Sequence, residues 1–378
     1  MRILWHSVAP WLPTGYASQT AVWCRYLKAQ GHDVAISPYY GNPGQERTWE
    51  GMTVYPVPME CDVTALIAGH ARRHRADVIV VLADAWLMDP RPLEQWPVVV
   101  WMPVDCTPLS LGDTYFLQRS GPNVIPLAMS KHGQAQIEKV TGAAPALIPH
   151  AIDTKIYTPD PRRRELRAAF GIGEGQFAIG MNFNNIDPFR KATPEQLYAF
   201  ARFHGRHKNS VMFCHTMVAI GKSLDLRLIT KSLHIEDAVR FSDQYRMQTG
   251  GYSTADMVRW YSAMDVLSNA TMGEGFGLPA IEAQACGTPV ILADNTTGPE
   301  LMGPGWTVRC EPFWNLTHAA WWQRPSVDQL VKAYDKALQD KSPFKREAAA
   351  QFARRYDVRK VGPLWDKLLA GIGRPRPV

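Results

Sequence analysis

Along the chain, apolar residues gather in short runs separated by longer stretches of helical periodicity, a pattern that predicts strands alternating with helices. Arg2–Ser7 predicts a first strand. Pro10, Pro13 and Gly15 break it into a loop, a helix is predicted from about Ala17 to Gln30, and Gly31 stops that helix before the strand DVAIS. Together these make a βαβ unit, which calls for a parallel sheet. DVIVVLA and PVVVWMP follow as two more apolar strands, then IPLAMS, a helix around Gln134–Val140, and ALIPHAID.

The pattern restarts after TPDPRRRELRAAFG, whose prolines and charges predict a linker over residues 158–165. FAIGMN predicts a new first strand, and a loop then runs to Thr193. The Thr-Pro-Glu-Gln run there has the form of a capping box for a helix through His207. VMFCH, AVRF, DVLSN and PVILA supply further strands, alternating with helices such as DLRLITKSL and TADMVRWYSAM. The expected architecture is α/β, two Rossmann-like halves with a cleft between them, and ligands in such sheets bind at the carboxyl ends of the strands. From Ser326 onward the tail is expected to be helical, with Arg354, Arg355, Arg359 and Lys360 clustered.

Composition narrows the class. The chain's 378 residues are many for one core and comfortable for two. Apolar content of 46% against 20% charged describes a globular, soluble chain. No apolar run approaches the length of a membrane span. The opening MRILWHSVAPWLP meets prolines before a signal-peptide core forms, so a cytoplasmic location is expected. Six cysteines (Cys24, Cys61, Cys106, Cys214, Cys286, Cys310) include no C-x-x-C pair, which argues against a zinc ribbon and against a disulfide framework. The net charge of +6 is uneven: residues 1–160 hold 12 Lys and Arg against 14 Asp and Glu, leaving 29 against 21 for the rest. The bulk charge of the first half therefore exerts no pull on a polyanion.

The most informative chemistry lies in GEGFGLPAIEAQACGTPV, residues 273–290. Gly275 and Gly277 allow close approach of a ligand to the backbone, Pro279 suits a helix start, and the free N–H groups there favour a phosphate. Glu274 is expected in the loop and Glu282 about one turn into the helix, roughly 5 Å along its axis. Gly287 ends that helix before the buried strand TPVILA. This string resembles the E-x7-E signature of retaining glycosyltransferases of family 4. The resemblance implies the GT-B fold, with an acceptor-binding domain over 1–160 joined by a returning C-terminal helix over 356–378. A nucleotide-sugar-binding domain is then expected over 161–355. It further implies transfer from a UDP-, GDP- or ADP-sugar to an acceptor hydroxyl with retention, without metal or other cofactor.

Breaking a sugar–diphosphate bond leaves an anion on one side and an oxocarbenium-like ring on the other, so cations and carboxylates must be fixed at separate places. No Asp-x-Asp metal pair occurs in the chain. Arg190-Lys191, in the loop after FAIGMN, supplies cations instead, and the resemblance implies that they grip the diphosphate; in isolation a solvated charge pair is the other reading. An arginine common in the family some six residues upstream is replaced by Asn184 and Asn185. Glu282 is implied to hold the ribose hydroxyls and Glu274 the sugar hydroxyls, while backbone N–H groups of Phe276, Gly277 and Leu278 meet sugar and phosphate oxygens. Gly15, with Thr14, falls where the family places a glycine against the diphosphate; a ligand-free tight turn is the alternative. The family's usual histidine after the PVVVWMP strand is Val104-Asp105 here, making Asp105 a hydrogen-bond acceptor or base. Asp84 is a second candidate, and a helix cap or loop hydrogen bond fits each as well. His150 and Lys131-His132 fall in segments that line the family's cleft, with a structural role the ordinary alternative. Trp11, Tyr16 and Trp86 fall at the expected acceptor mouth.

In this chemistry the departing phosphate oxygen itself takes the acceptor's proton, so no dedicated base is required. Two other readings stand beside sugar transfer: a GT-B nucleotide-sugar epimerase, and a non-catalytic sugar-nucleotide binder. The acceptor is a protein, a saccharide or a modified DNA base. Arg72-Arg73-His74-Arg75 reads as a solvated helix face or as a phosphate-contacting strip. The donor base, implied to be recognised near Phe241–Tyr245, and the oligomeric state are not legible.

Overall fold

A computed structural model of the chain describes residues 1–58, 62–221, 223–340, 342 and 344–372. They form two compact units. Unit 1 is Met1–Ala151 with Asn315–Ala320 and Val358–Val378; unit 2 is Ile152–Trp314 with Trp321–Asp357. Cys61 and the end of the expected returning helix, 373–378, lie outside the described residues. The other five cysteines are free thiols. No described helix is long and apolar enough to cross a membrane.

Unit 1 runs β1 (Arg2–Val8), α1 (Gly15–Ala29), β2 (Asp33–Tyr40), β3 (Arg47–Trp49), β4 (Met52–Val54), α2 (Val63–His74), β5 (Val78–Val81), β6 (Val98–Met102), α3 (Leu111–Arg119), β7 (Val124–Ala128), α4 (Lys131–Thr141) and β8 (Ala146–Leu147). Its sheet has the order β3-β4-β2-β1-β5-β6-β7-β8. Every pairing is parallel except β3 with β4. The predicted strands are all present. The β3–β4 hairpin was not, because three-residue strands are too short for a period to register. Thr14, Asp62, Ser110 and Ser130 cap the four helices, each accepting a backbone N–H from the first turn. The basic strip read at 72–75 forms the end of α2, where Arg73 pairs with Glu46 at 3.0 Å.

Four tryptophans, all fully buried, lock the last helix of the chain into this unit. Trp365 meets Trp5, Trp23 and Trp101 with ring centroids 5.6, 5.7 and 5.2 Å away. Three of the indole N–H groups are satisfied: Trp5 donates to Thr20, Trp23 to Gln19, and Trp101 to the Ile148 carbonyl. The Trp365 N–H finds no acceptor among the described residues. Tyr26 on α1 adds a hydrogen bond to Asp366 at 2.7 Å.

Unit 2 continues with α5 (Arg163–Ala169), β9 (Phe177–Asn182), α6 (Thr193–Arg206), β10 (Ser210–His215), α7 (Leu226–Ser232), β11 (Val239–Phe241), α8 (Gln244–Gln248), α9 (Thr254–Ala263), β12 (Val266–Asn269), α10 (Leu278–Ala285), β13 (Val290–Ala293), α11 (Gly298–Leu301), β14 (Gly305–Val308), β15 (Cys310–Asn315), β16 (Ala320–Pro325), α12 (Val327–Gln339) and α13 (Lys345–Ala353). The helix carrying Trp365 is α14 (Val358–Gly371). The sheet order is β11-β10-β9-β12-β13-β14, parallel throughout. A two-stranded β15–β16 ladder stands apart from it. The segment read as a linker is ordered from Arg163 onward, because Arg163 and Arg167 pair with Asp265 at 2.6 and 3.0 Å and so fasten α5 beside β12. The capping box expected at Thr193 does not form. Ala192, in the left-handed region at φ 48°, is the cap, Thr193 is buried inside the helix, and Gln196, the fourth residue of the run, donates to the Lys191 carbonyl at 2.8 Å and accepts from Ser268 at 2.6 Å.

Trp365→Ala should destabilise the protein by about 3–5 kcal/mol, the usual range for emptying a large aromatic site. Trp365→Phe should cost less, since it removes the unpaired N–H along with part of the ring. Denaturant unfolding followed by near-UV circular dichroism checks both.

Candidate functional site

The sequence dictates where unit 2 gathers polar side chains. β9, β12 and β13 are neighbours, so the loops that leave their carboxyl ends, 183–192, 270–277 and 294–297, emerge side by side. Backbone bonds lock the first two together, the Met272 N–H donating to the Arg190 carbonyl at 2.7 Å. The third closes on the second: Thr296 Oγ1 accepts from the Glu274 N–H at 3.1 Å, Thr297 donates to the Phe276 carbonyl at 2.6 Å, and Asn295 to the Thr271 carbonyl at 2.8 Å. The loop ends at Gly277, whose φ of 105° belongs to the region that favours glycine, and a Cβ there would press on Leu301 at 3.1 Å. Helix α10 then starts at Leu278, one residue before the expected Pro279.

Within this frame Glu274, Arg190 and Lys191 converge. Lys191 Nζ lies 2.6 Å from Glu274 Oε1, and Arg190 Nη1 lies 3.3 Å from Oε2 and 3.0 Å from the Gly273 carbonyl. Asp187 holds the other side of the guanidinium at 3.3 Å. The Glu274 and Lys191 side chains are only 14% exposed. Burial by itself would raise the Glu274 carboxyl, but the charges and hydrogen bonds of Lys191 and Arg190 outweigh it and hold the group below the ordinary carboxylate value. One carboxylate taking two cations is what partial withdrawal from water demands. A recess of about 10 Å³ lined by Glu274, Phe276, Thr296 and Thr297 has room for no more than a water.

Glu282 takes other partners. Tyr261 donates to its Oε2 at 2.7 Å and Tyr157 to its Oε1 at 3.1 Å, while Asn182, the last residue of β9, donates to the Tyr261 hydroxyl at 2.6 Å. No cation appears in that set. Burial raises the Glu282 carboxyl above its usual value, and the two phenolic hydrogen bonds offset this only in part.

The remaining predicted residues belong to unit 1. Thr14 is the N-cap of α1, its hydroxyl accepting from Ala17 N at 3.1 Å, and Gly15 is the first helical residue. Tyr16 donates to Asp84 at 3.4 Å, which brings the first loop to the end of β5. Asp105 follows β6 and is half-buried. His132 bonds the neighbouring Cys106 carbonyl at 3.0 Å. His150 is buried against Trp101, with centroids 4.4 Å apart, and burial lowers it to about 3. It is therefore a core residue. Trp11 and Trp86 are exposed.

Sequence reasoning missed several members. Tyr157, Tyr261 and Asn182 around Glu282 sit in segments without a motif, and only register places them there. Asp187, three residues before Arg190, was legible by spacing. Asp113 was also missed: burial raises its carboxyl to about 6, Ser110 opposes this by hydrogen bonding, and the nearby charges of Asp84 and Asp105 raise it further. Among the described residues no cluster of His, Cys, Asp and Glu is arranged to hold a metal ion.

Residues 194–340 match the family model of Glycosyl transferases group 1. Over those residues the chain is similar to that family. A relative from Mycolicibacterium smegmatis, D-inositol 3-phosphate glycosyltransferase, is 28% identical over 235 residues, which are 55% of this chain and 51% of that protein. The chain thus spans about half the length of this relative, and 35% of a similar one from Kineococcus radiotolerans. In fold, the chain is similar to sucrose-phosphate synthase from Thermosynechococcus elongatus, with a TM-score of 0.73 at 15% identity over 98% of this chain and 99% of that one. It is equally similar to Anabaena Alr3699/HepE in complex with UDP-glucose, with a TM-score of 0.71 at 16% identity over 98% and 100%. Its architecture is therefore GT-B.

The raised Glu282 carboxyl gives the protein a pH signature. A folded-state value above the unfolded one of about 4.5 means stability that is complete below that value and lost as pH rises through the folded one. Relative to Glu282→Gln, which does not titrate, the wild-type protein should therefore melt higher at pH 4.5 than at pH 7.5. Paired thermal melts across that window read the difference.

Proposed function

We propose that the protein is a retaining glycosyltransferase that moves a sugar from a nucleoside-diphosphate sugar to an acceptor hydroxyl, using protein cations where other transferases use a metal. The observation that carries this reading is the Arg190, Lys191 and Glu274 cluster at the carboxyl edge of the unit 2 sheet. A diphosphate offers the two cations a denser negative charge than one carboxylate does. On binding it would draw Arg190 and Lys191 towards itself, leaving Glu274 to accept hydrogen bonds from the sugar. The start of α10 adds N–H groups at Phe276, Gly277 and Leu278 for the phosphate and sugar oxygens. Glu282, already bonded by two tyrosines, is placed to receive ribose hydroxyls in exchange for one of them.

Chemistry then follows from charge. As the bond between the anomeric carbon and phosphate oxygen lengthens, charge builds on the diphosphate and Arg190 and Lys191 stabilise it, while Glu274 stabilises the electron-poor ring. The acceptor oxygen bonds the anomeric carbon on the face the phosphate leaves, and its proton passes to the departing phosphate oxygen. Atoms and charge balance without another base. In unit 1, Asp105 would orient the acceptor hydroxyl as a hydrogen-bond acceptor, and Thr14 and Gly15 would present a hydroxyl and backbone at the start of α1. UDP-glucose is the first donor to try, because the Anabaena protein of the same fold binds it.

Because Lys191 and Arg190 share the Glu274 carboxylate, removing Lys191 or Glu274 alone upsets the charge balance of the cluster. The informative variant is the pair Lys191→Met with Glu274→Gln. It should stay folded and lose about 10²–10³-fold in transfer, and thermal shift with UDP-, GDP- and ADP-sugars should show the wild type stabilised by one of them and the pair not. NMR of the product should show the donor's anomeric configuration retained. Near-wild-type transfer by the folded double variant ends this reading, and donor turnover without an acceptor replaces it with epimerisation.

A further inference from the structure

Unit 1 holds a feature that sugar-nucleotide chemistry does not use: a cavity of about 670 Å³ walled by Leu12, Tyr39, Tyr40, Pro43, Val57 and Leu87. Its size is that of a small-molecule site. The walls come from the carboxyl edge of the sheet. Leu12 lies in the loop between β1 and α1, Tyr39 and Tyr40 end β2, and Leu87 closes the short turn that Asp84 opens after β5. One wall is set by the backbone: Gly41, at φ +97°, lies so close to Leu12 that a Cβ would fall 2.3 Å from its Cδ1. Among the described residues the lining has no charged side chain, and Tyr39, Tyr40, Pro43 and Pro58 supply apolar surface.

Charge around the cavity narrows what it can hold. Asp84 acts on the Tyr39 phenol in the wall, raising it in addition to the effect of burial. Asp84 and Asp105 both act on Asp113, so three carboxylates share this edge. Against them stand Lys131 at the start of α4 and Arg47, stacked 6.0 Å from the Trp11 ring. His132 adds no charge at neutral pH, since burial lowers it. A phosphate placed here would meet a net negative edge, and so would the inositol 3-phosphate in the relatives' names.

We propose that this cavity seats an uncharged aromatic ring belonging to the acceptor, and that the protein is built for a neutral, ring-bearing alcohol rather than a phosphorylated one. The word acceptor rests on the sugar-transfer reading; the cavity and its ligand chemistry do not. The ring would lie between Tyr39, Tyr40 and the prolines, leaving its hydroxyl-bearing part towards Asp84 and Asp105, which accept hydrogen bonds and repel anions.

The test measures binding with no donor present, by calorimetry, using 4-nitrophenyl β-D-glucopyranoside as the neutral aromatic probe and D-myo-inositol 3-phosphate as the anionic one. The glucoside should bind about tenfold tighter than the inositol phosphate. Leu87→Trp, which fills the cavity, should weaken the glucoside about tenfold, and Tyr40→Ala, at an exposed wall position that folding does not need, about threefold. Tighter binding of the inositol phosphate, or glucoside binding unchanged in both folded variants, overturns the proposal. Either result leaves the donor reading intact, which stands or falls on nucleotide-sugar binding alone. Loss of nucleotide-sugar binding with glucoside binding kept would instead sink the transfer reading and spare this one.

Discussion

A carboxylate taken partly out of water has to be paired, and Glu274 meets that requirement with two cations from another loop. Because Arg190 and Lys191 leave β9 while Glu274 leaves β12, the ion cluster cannot form unless those strands are neighbours in register. Thr296 and Thr297, from the loop after β13, then close over the Glu274 backbone. Three loops with no sequence relation to one another thus become one rigid platform. Its two cations are held by a single carboxylate, which stays below the ordinary carboxylate value because of them.

The two units use the same part of the same kind of sheet for opposite ends. In unit 2 the carboxyl edge concentrates cations and helix-start N–H groups, which suits an anionic ligand. In unit 1 the corresponding edge gathers Asp84, Asp105 and Asp113 beside an apolar cavity, which suits a neutral one. The stability of unit 1 comes from elsewhere, from four interlocked tryptophans on the far-apart segments β1, α1, β6 and α14. Separating the packing that holds the unit from the carboxyl edge of its sheet leaves that edge free to carry several carboxylates and an open cavity.

Much of this was legible in residue order, but unevenly. The Gly-Glu-Gly-Phe-Gly string, the helix behind it and the Arg-Lys doublet were recognisable as parts of one chemistry because spacing along a chain survives folding. The Thr193 capping box was misread: its letters are right, but the left-handed Ala192 and the bonds of Gln196 to the Lys191 carbonyl and Ser268 are tertiary facts. The partners of Glu282 were invisible for a related reason, since Tyr157 and Tyr261 carry no motif and meet it only when α9 and the segment before α5 pack beside α10. The cavity in unit 1 was hinted at by Trp11, Tyr16 and Trp86, yet its walls proved to be Leu12, Tyr39 and Leu87.

What residue order determined by itself is therefore the alternation of strands and helices, the parallel sheets this alternation requires, and the identity of the charged groups, because each of these depends on neighbours within a few positions. What only the tertiary structure decided is which charges face one another and how strongly each holds its proton. Those properties are set by burial and by distances between atoms hundreds of residues apart, and they took Glu274 and Glu282, eight positions apart on one motif, in opposite directions.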